Sequence, residues 1–215
     1  MAFTFFFRDN HSLTAAADLL LSKIEGLREV KIWDAGCAMG PEPYSFAILL
    51  AERMGYFAFK KIKIHATDID ESGSFSDIVS EGIYPENELC RIPRDIFIKY
   101  FSSSKKQGYF RLNESIRSRV VFHRHNLLSL KPIDTGYNMV ICKNVLLHFT
   151  TVQRANVINM YHTVLKDGGI LLTERTQTLP ESNEKSFRKI APDVNVYEKV
   201  VESEYNFGRT DYGCN

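Results

Sequence analysis

Apolar residues recur at helical spacing at Leu13, Ala16, Ala17, Leu20, Leu21 and Ile24. With Ser12 in place as a cap and Gly26 as a stop, the pattern predicts a helix over residues 12–25. The period then changes: residues 30–33 read as a short buried strand that runs directly into Asp34-Ala-Gly-Cys-Ala-Met-Gly-Pro-Glu-Pro43, a loop of small residues. A helix carrying Tyr44, Ala47, Ile48 and Ala51 follows, and Pro41 and Pro43 suit its first turn because the amides they lack would be unpaired there. Residues 61–66 alternate like a strand and end in Thr67-Asp-Ile-Asp70. Residues 137–142 and 169–173 predict further strands, and residues 151–165 a helix ended by Gly168-Gly169. Strands and helices alternating over short connections predict an α/β fold with a mostly parallel sheet and helices on both faces.

Residues 82–122 break this rhythm. They hold a short helical pattern at 94–101, a polar tip at 102–108 and two strand-like runs at 109–112 and 119–122, which read as a small inserted β subdomain within a single domain spanning 1–215. Residues 187–191 and 194–201 flank Pro192-Asp193 and predict a closing C-terminal antiparallel hairpin, with the chain after Glu204 loosely held.

Composition narrows the functional classes. With 215 residues, 44% of them hydrophobic, the chain is long enough to form a full core without metal or disulfide support. Lys plus Arg is 27 against 26 Asp plus Glu, so a formal charge of +1 gives no overall electrostatic case for nucleic acid or a membrane surface. No apolar run approaches the ~18 residues of a membrane span. The first eight residues are too short for a signal peptide and lack its basic start, so a cytoplasmic protein is expected. Cys37, Cys90, Cys142 and Cys214 lie far apart with no CxxC spacing, which points to reduced thiols. His123 and His125 have no third ligand nearby in sequence, and no metal is expected. The cations Lys105, Lys106, Arg111, Arg117, Arg119 and Arg124 read as surface rather than as a nucleic-acid contact.

The chemistry concentrates at strand ends. In the loop after the first strand, Gly36 and Gly40 let backbone approach a ligand, with Ala38 at the middle small position; a merely tight strand-to-helix turn accounts for the same pattern equally well. The second strand ends at Asp68, placed to accept hydrogen bonds from both hydroxyls of a ribose, while Asp70 fits a helix cap better. With the Gly-Gly turn before a strand ending in Glu174, the order resembles class I S-adenosylmethionine-dependent methyltransferases. A dinucleotide dehydrogenase is disfavoured because the full GxGxxG register is absent.

Markers spread along the whole chain make the resemblance specific: Thr4-Phe-Phe-Phe-Arg8-Asp9, Gly40-Pro-Glu42-Pro-Tyr-Ser45, Ala66-Thr-Asp68-Ile-Asp70, Gly82-Ile-Tyr84, His125-Asn126-Leu127-Leu128, Cys142-Lys-Asn144-Val145, Phe149 and Leu165-Lys-Asp-Gly-Gly169. The chain resembles the catalytic domain of the CheR family, chemotaxis receptor glutamate methyltransferases, without the N-terminal helical domain usual there. The resemblance implies a cofactor pocket of Thr4, Arg8, Gly36, Gly40, Glu42, Asp68, Asn126, Leu127, Lys143 and Asn144. Asp68 would hold the ribose, Asn126 and Leu127 would lie near the adenine, and Glu42 would counter the positive methionyl end. Arg8 and His148 would serve the reacting end, with Arg8 orienting a substrate carboxylate; otherwise Arg8 makes a surface ion pair with Asp9 or another neighbour. A carboxylate is ionised at pH 7, so alignment in a water-poor pocket suffices and no general base is required. The implied function is methyl transfer from S-adenosylmethionine to glutamate carboxylates of a chemoreceptor-like protein in signal transduction. The alternatives are a catalytically weak cofactor-binding regulatory module and a methyltransferase for small carboxylic acids. The chain departs from the family at Lys143, where Arg is usual, at His148, where Tyr is usual, and at Thr173-Glu174-Arg175-Thr176, which replaces a glycine-serine-glutamate element. An imidazole, unlike a phenol, changes charge near physiological pH, which gives position 148 a different chemistry.

Overall fold

The computed structural model describes residues 4–176 and 178–201; the tail after Glu204 and Cys214 lie outside them. The chain runs through α1 (Asn10–Leu21), β1 (Val30–Ala35), α2 (Pro41–Phe59), β2 (Ile62–Asp68) and α3 (Phe75–Glu81). An excursion of short elements follows: β3 (Ile83–Pro85), α4 (Glu86–Leu89), α5 (Arg94–Tyr100), β4 (Phe101–Ser103), β5 (Tyr109–Leu112) and α6 (Glu114–Arg117). β6 (Val120–Arg124), β7 (Tyr137–Cys142), α7 (Thr151–Val164), β8 (Leu165–Thr173), β9 (Phe187–Lys189) and β10 (Val196–Lys199) complete it.

The main sheet has seven strands in the order β6-β2-β1-β7-β8-β10-β9. The strands from β6 to β8 are parallel, and β10 runs antiparallel to both β8 and β9. Alternation along each strand divides the core: Ile32, Ile64, Met139 and Ile170 pack with α1 and α2 on one face, and Trp33, Val140 and Leu171 pack with α7 on the other. Because β1 pairs with β2 on one side and β7 on the other, the strand order reverses there and opens a crevice at their carboxyl ends, where doubly wound sheets bind ligands. This is the mostly parallel sheet, with helices on both faces and a closing hairpin, that the sequence predicts.

Several local expectations are corrected. Ser12 does not cap α1 but sits buried within its first turn, and Asp9 occupies the cap position in a left-handed conformation, φ 51°. The pair Gly168-Gly169 does not end a helix; α7 stops at Val164, and the glycines lie within β8, beside an irregularity in its pairing with β7. α2 is interrupted at Gly55, whose φ and ψ are not helical. Residues 119–122 contribute to β6, the edge strand of the main sheet, because Val120 and Phe122 join the core beside Ile64. The small antiparallel sheet is instead β3-β5-β4, with β3 and β4 too short to register as strands in the sequence.

Candidate functional site

The loop after β1 is drawn onto the end of β2. The amides of Gly36 and Cys37 both donate to Thr67 O, at 2.7 and 3.0 Å, and Gly36 takes φ 99°. A Cβ on Gly36 would lie 2.1 Å from Val145 Cγ2, so glycine is required by packing as well as by conformation. The Asp68 carboxylate closes the junction: Oδ2 accepts the Ala38 N–H at 2.9 Å and Oδ1 the Asp70 N–H at 3.1 Å. Each oxygen retains acceptor capacity for a ligand hydroxyl. Asp70 accepts from the amides of Ser74 and Phe75 at 3.2 and 3.1 Å and so satisfies the opening of α3 from outside, while Ser74 holds the N-cap position itself. Gly40 is set differently from Gly36. A Cβ there would meet the Tyr84 hydroxyl at 2.9 Å and Val79 at 3.0 Å, so this glycine serves close packing at the start of α2 and does not line the cavity.

The N-terminal segment folds over the same loop. Phe6 is fully buried edge-on against Tyr84 and Phe101, with centroids 5.0 and 5.6 Å away, while the Phe7 amide donates to Ser45 Oγ at 2.8 Å. Ser45 donates in turn to Pro41 O at 2.6 Å. Two segments far apart in sequence are thereby fixed together, and Thr4 and Arg8 line the cavity that results.

Beside this cavity, carboxyls gather near Lys143. Lys143, at the end of β7, has its ammonium 3.1 Å from Asp9 Oδ2 and 3.5 Å from Glu42 Oε2. Asp9 thus stands in ion-pair range of Lys143. Burial raises the Glu42 carboxyl above the usual carboxylate range, with the Lys143 and Arg8 charges opposing. Asp34 is completely buried, neither carboxyl oxygen has a hydrogen-bond partner, and burial together with the Glu42 charge holds it well above the usual range. Burial likewise raises Glu174. Carboxyls gathered out of water around a single lysine favour a ligand that brings positive charge.

A cavity of about 530 Å³ unites Thr4, Arg8, Gly36, Glu42, Asp68, Lys143, Asn144 and His148. A second, of about 270 Å³, shares Gly36, Asp68, Val145 and His148 with it and adds Asn126 and Leu127. Asn126 Oδ1 also accepts the Leu128 N–H at 2.9 Å, which shapes the wall of the second cavity. Apart from Gly40, every site residue expected from the sequence lines one of the two cavities. Cys37, Val145, Leu147, Ile69, Leu128 and Phe149 line them as well; several fall within the markers quoted above, but their mostly apolar side chains carry no chemical signal that assigns them to a cavity wall. His123 packs edge-on against His65 and His125 against Trp33, so the two histidines have separate partners. Among the described residues no cluster of three or more His, Cys, Asp or Glu is arranged to hold a metal.

The family described as "CheR methyltransferase, SAM binding domain" matches residues 2–196. The "Chemotaxis protein methyltransferase" of Borreliella burgdorferi is 32% identical over 184 residues, 82% of this chain and 64% of that protein. "Chemotaxis protein methyltransferase 2" of Pseudomonas aeruginosa is 29% identical over 177 residues, 81% of this chain and 62% of that protein. The matches thus span a little under two thirds of these relatives. In fold, the chain is similar to TrmN from Thermus thermophilus, with a TM-score of 0.50 and 16% identity over 87% of this chain and 49% of that one.

Proposed function

The chain belongs to the CheR methyltransferase family through its SAM-binding domain, and from that premise we propose that it transfers the methyl group of S-adenosylmethionine to glutamate side-chain carboxylates of a chemoreceptor-like protein. The observation that carries the reading is the convergence of Thr4, Arg8, Glu42, Asp68, Lys143 and Asn144 on one cavity at the carboxyl ends of β1 and β7. The reading places the reaction in the cytoplasm, as a step of signal transduction. Among the described residues no helix is long and apolar enough to cross a membrane.

The residues present fit the cofactor. Asp68 offers acceptors suited to ribose hydroxyls, and the Glu42 carboxyl that lines the cavity, with Asp34 buried near it, suits a ligand bearing a sulfonium and an ammonium. The smaller cavity, walled by Leu127, Leu128 and Val145 with Asn126 at its edge, suits a flat heterocycle with polar edges. When bound, S-adenosylmethionine would supply an electrophilic methyl group for a carboxylate oxygen, the carbon–sulfur electron pair remaining with sulfur. The protein's part is positional. Arg8 offers a planar guanidinium to align the incoming carboxylate, and the enclosing apolar side chains limit water around it.

Arg8 should therefore matter more to turnover than to binding. Arg8→Ala is expected to lower the labelling rate of receptor fragments with methyl-labelled S-adenosylmethionine by roughly 10–100-fold, and S-adenosylhomocysteine affinity by less than about threefold. Labelling at the wild-type rate would remove Arg8 from the reacting end.

A further inference from the structure

Lys143 presents an electrostatic difficulty that the rest of the site must resolve. Its side chain is 1% exposed and lines the same cavity as Glu42, where an uncompensated positive charge opposes a cationic ligand. A charge buried this deeply is costly unless it is paired. Two carboxylates are within range, Asp9 at 3.1 Å and Glu42 at 3.5 Å. They differ in location: Glu42 lines the cavity, whereas Asp9 is not among the residues that do.

The backbone at Asp9 points the same way. The residue stands at the N-cap of α1, where an aspartate ordinarily accepts a hydrogen bond from an amide of the first turn, yet its side chain makes no cap bond. It also adopts the left-handed conformation that disfavours residues with a Cβ. The bond from the Phe7 amide to Ser45 Oγ fixes the preceding turn, and the Leu13 amide donates to Asp9 O. A helix cap is thus forgone while the carboxylate faces Lys143.

We infer that Asp9 is a positioning residue, the standing counter-ion of Lys143, which leaves the Glu42 carboxylate to face the positive end of the bound cofactor. The assignment rests on the S-adenosylmethionine reading of the cavity. The other charged groups acting on this part of the site include Arg8 on the N-terminal segment, Asp34 near the end of β1, Asp68 at the end of β2 and Glu174 after β8. Without the Asp9 charge, Lys143 turns to Glu42 alone, and the ligand loses its counter-charge.

A double-mutant cycle tests this by calorimetry with S-adenosylhomocysteine and S-adenosylmethionine. Asp9→Asn should weaken S-adenosylhomocysteine binding about tenfold and S-adenosylmethionine binding more, because only the latter carries the sulfonium charge. In a Lys143→Met background the same change should alter either affinity by less than about twofold, and Asp9→Glu should restore most of the loss. Since no cap bond is broken, Asp9→Asn should stay folded; Asp9→Ser removes the same charge, supplies a good capping side chain and gives a second variant. Equal losses in both backgrounds, or unchanged affinity in the folded variants, would overturn the role of Asp9 alone. A wild-type protein that bound neither ligand would overturn the cofactor reading and this assignment with it.

Discussion

Alanine at Gly36 is expected to lower the melting temperature by about 6–12 °C and to remove measurable S-adenosylhomocysteine binding. The added methyl group would sit 2.1 Å from Val145 Cγ2 at a residue with φ 99°, so steric overlap and backbone strain act together. Overpacking of a filled site costs about 1–3 kcal/mol and a forced left-handed residue a similar amount, giving about 3 kcal/mol together. At roughly 2–4 °C per kcal/mol for a chain of this size, the shift follows. Gly26→Ala is the control, because its φ is 74° but nothing lies within 4 Å of the added Cβ. It should show only the strain, about half the shift or less. Val145→Ala added to Gly36→Ala should recover part of the stability by relieving the overlap. A Gly36→Ala protein that melted within about 2 °C of wild type would contradict the tight junction between this loop and the segment that follows β7.

Asp68→Ala should weaken S-adenosylhomocysteine binding by roughly 1.5–3 kcal/mol, or about 10–150-fold, as expected for hydrogen bonds to a charged acceptor. The carboxylate has two tasks. It ties Ala38 in the glycine loop to Asp70 beyond β2, and it offers its remaining lone pairs to the ligand. Its loss should therefore loosen the loop as well as remove ligand contacts, visible as faster amide exchange at Ala38. Calorimetry on the folded variant decides: wild-type affinity would exclude Asp68 from the ribose site.

Where local chemistry determined the outcome, the sequence was informative. Asp70 is readable as the acceptor for the amides that open α3, and the prolines of α2 as first-turn residues, because each depends on neighbours a few positions away. The turn at Gly36 was readable for the same reason, although the Val145 side chain that makes it obligatory was not. The packing of Gly40 against Tyr84 and Val79 is not legible, because a left-handed glycine that spares such neighbours looks identical in sequence to one that admits a ligand. Ser12 was read as a cap because its residue type suits one, whereas the turn held by the Phe7–Ser45 bond moves the helix start to Asn10. Residues 119–122 were placed in the insertion by proximity, but a parallel partner in β2 outweighs proximity. The Lys143 pairing with Asp9 and Glu42 joins distant parts of the chain, and no periodicity or motif spacing encodes such a contact.

The central claim, methyl transfer to glutamate carboxylates, is tested most directly by the chemistry of the product. Chemoreceptor fragments are incubated with the protein and methyl-labelled S-adenosylmethionine, and the isolated fragments are then treated with mild alkali. The account predicts label on the fragment that alkali releases as volatile methanol, as a carboxyl methyl ester requires, with no label when the candidate glutamates are replaced by alanine. Label that resists alkali, or no label on any fragment while S-adenosylhomocysteine still binds, would contradict it.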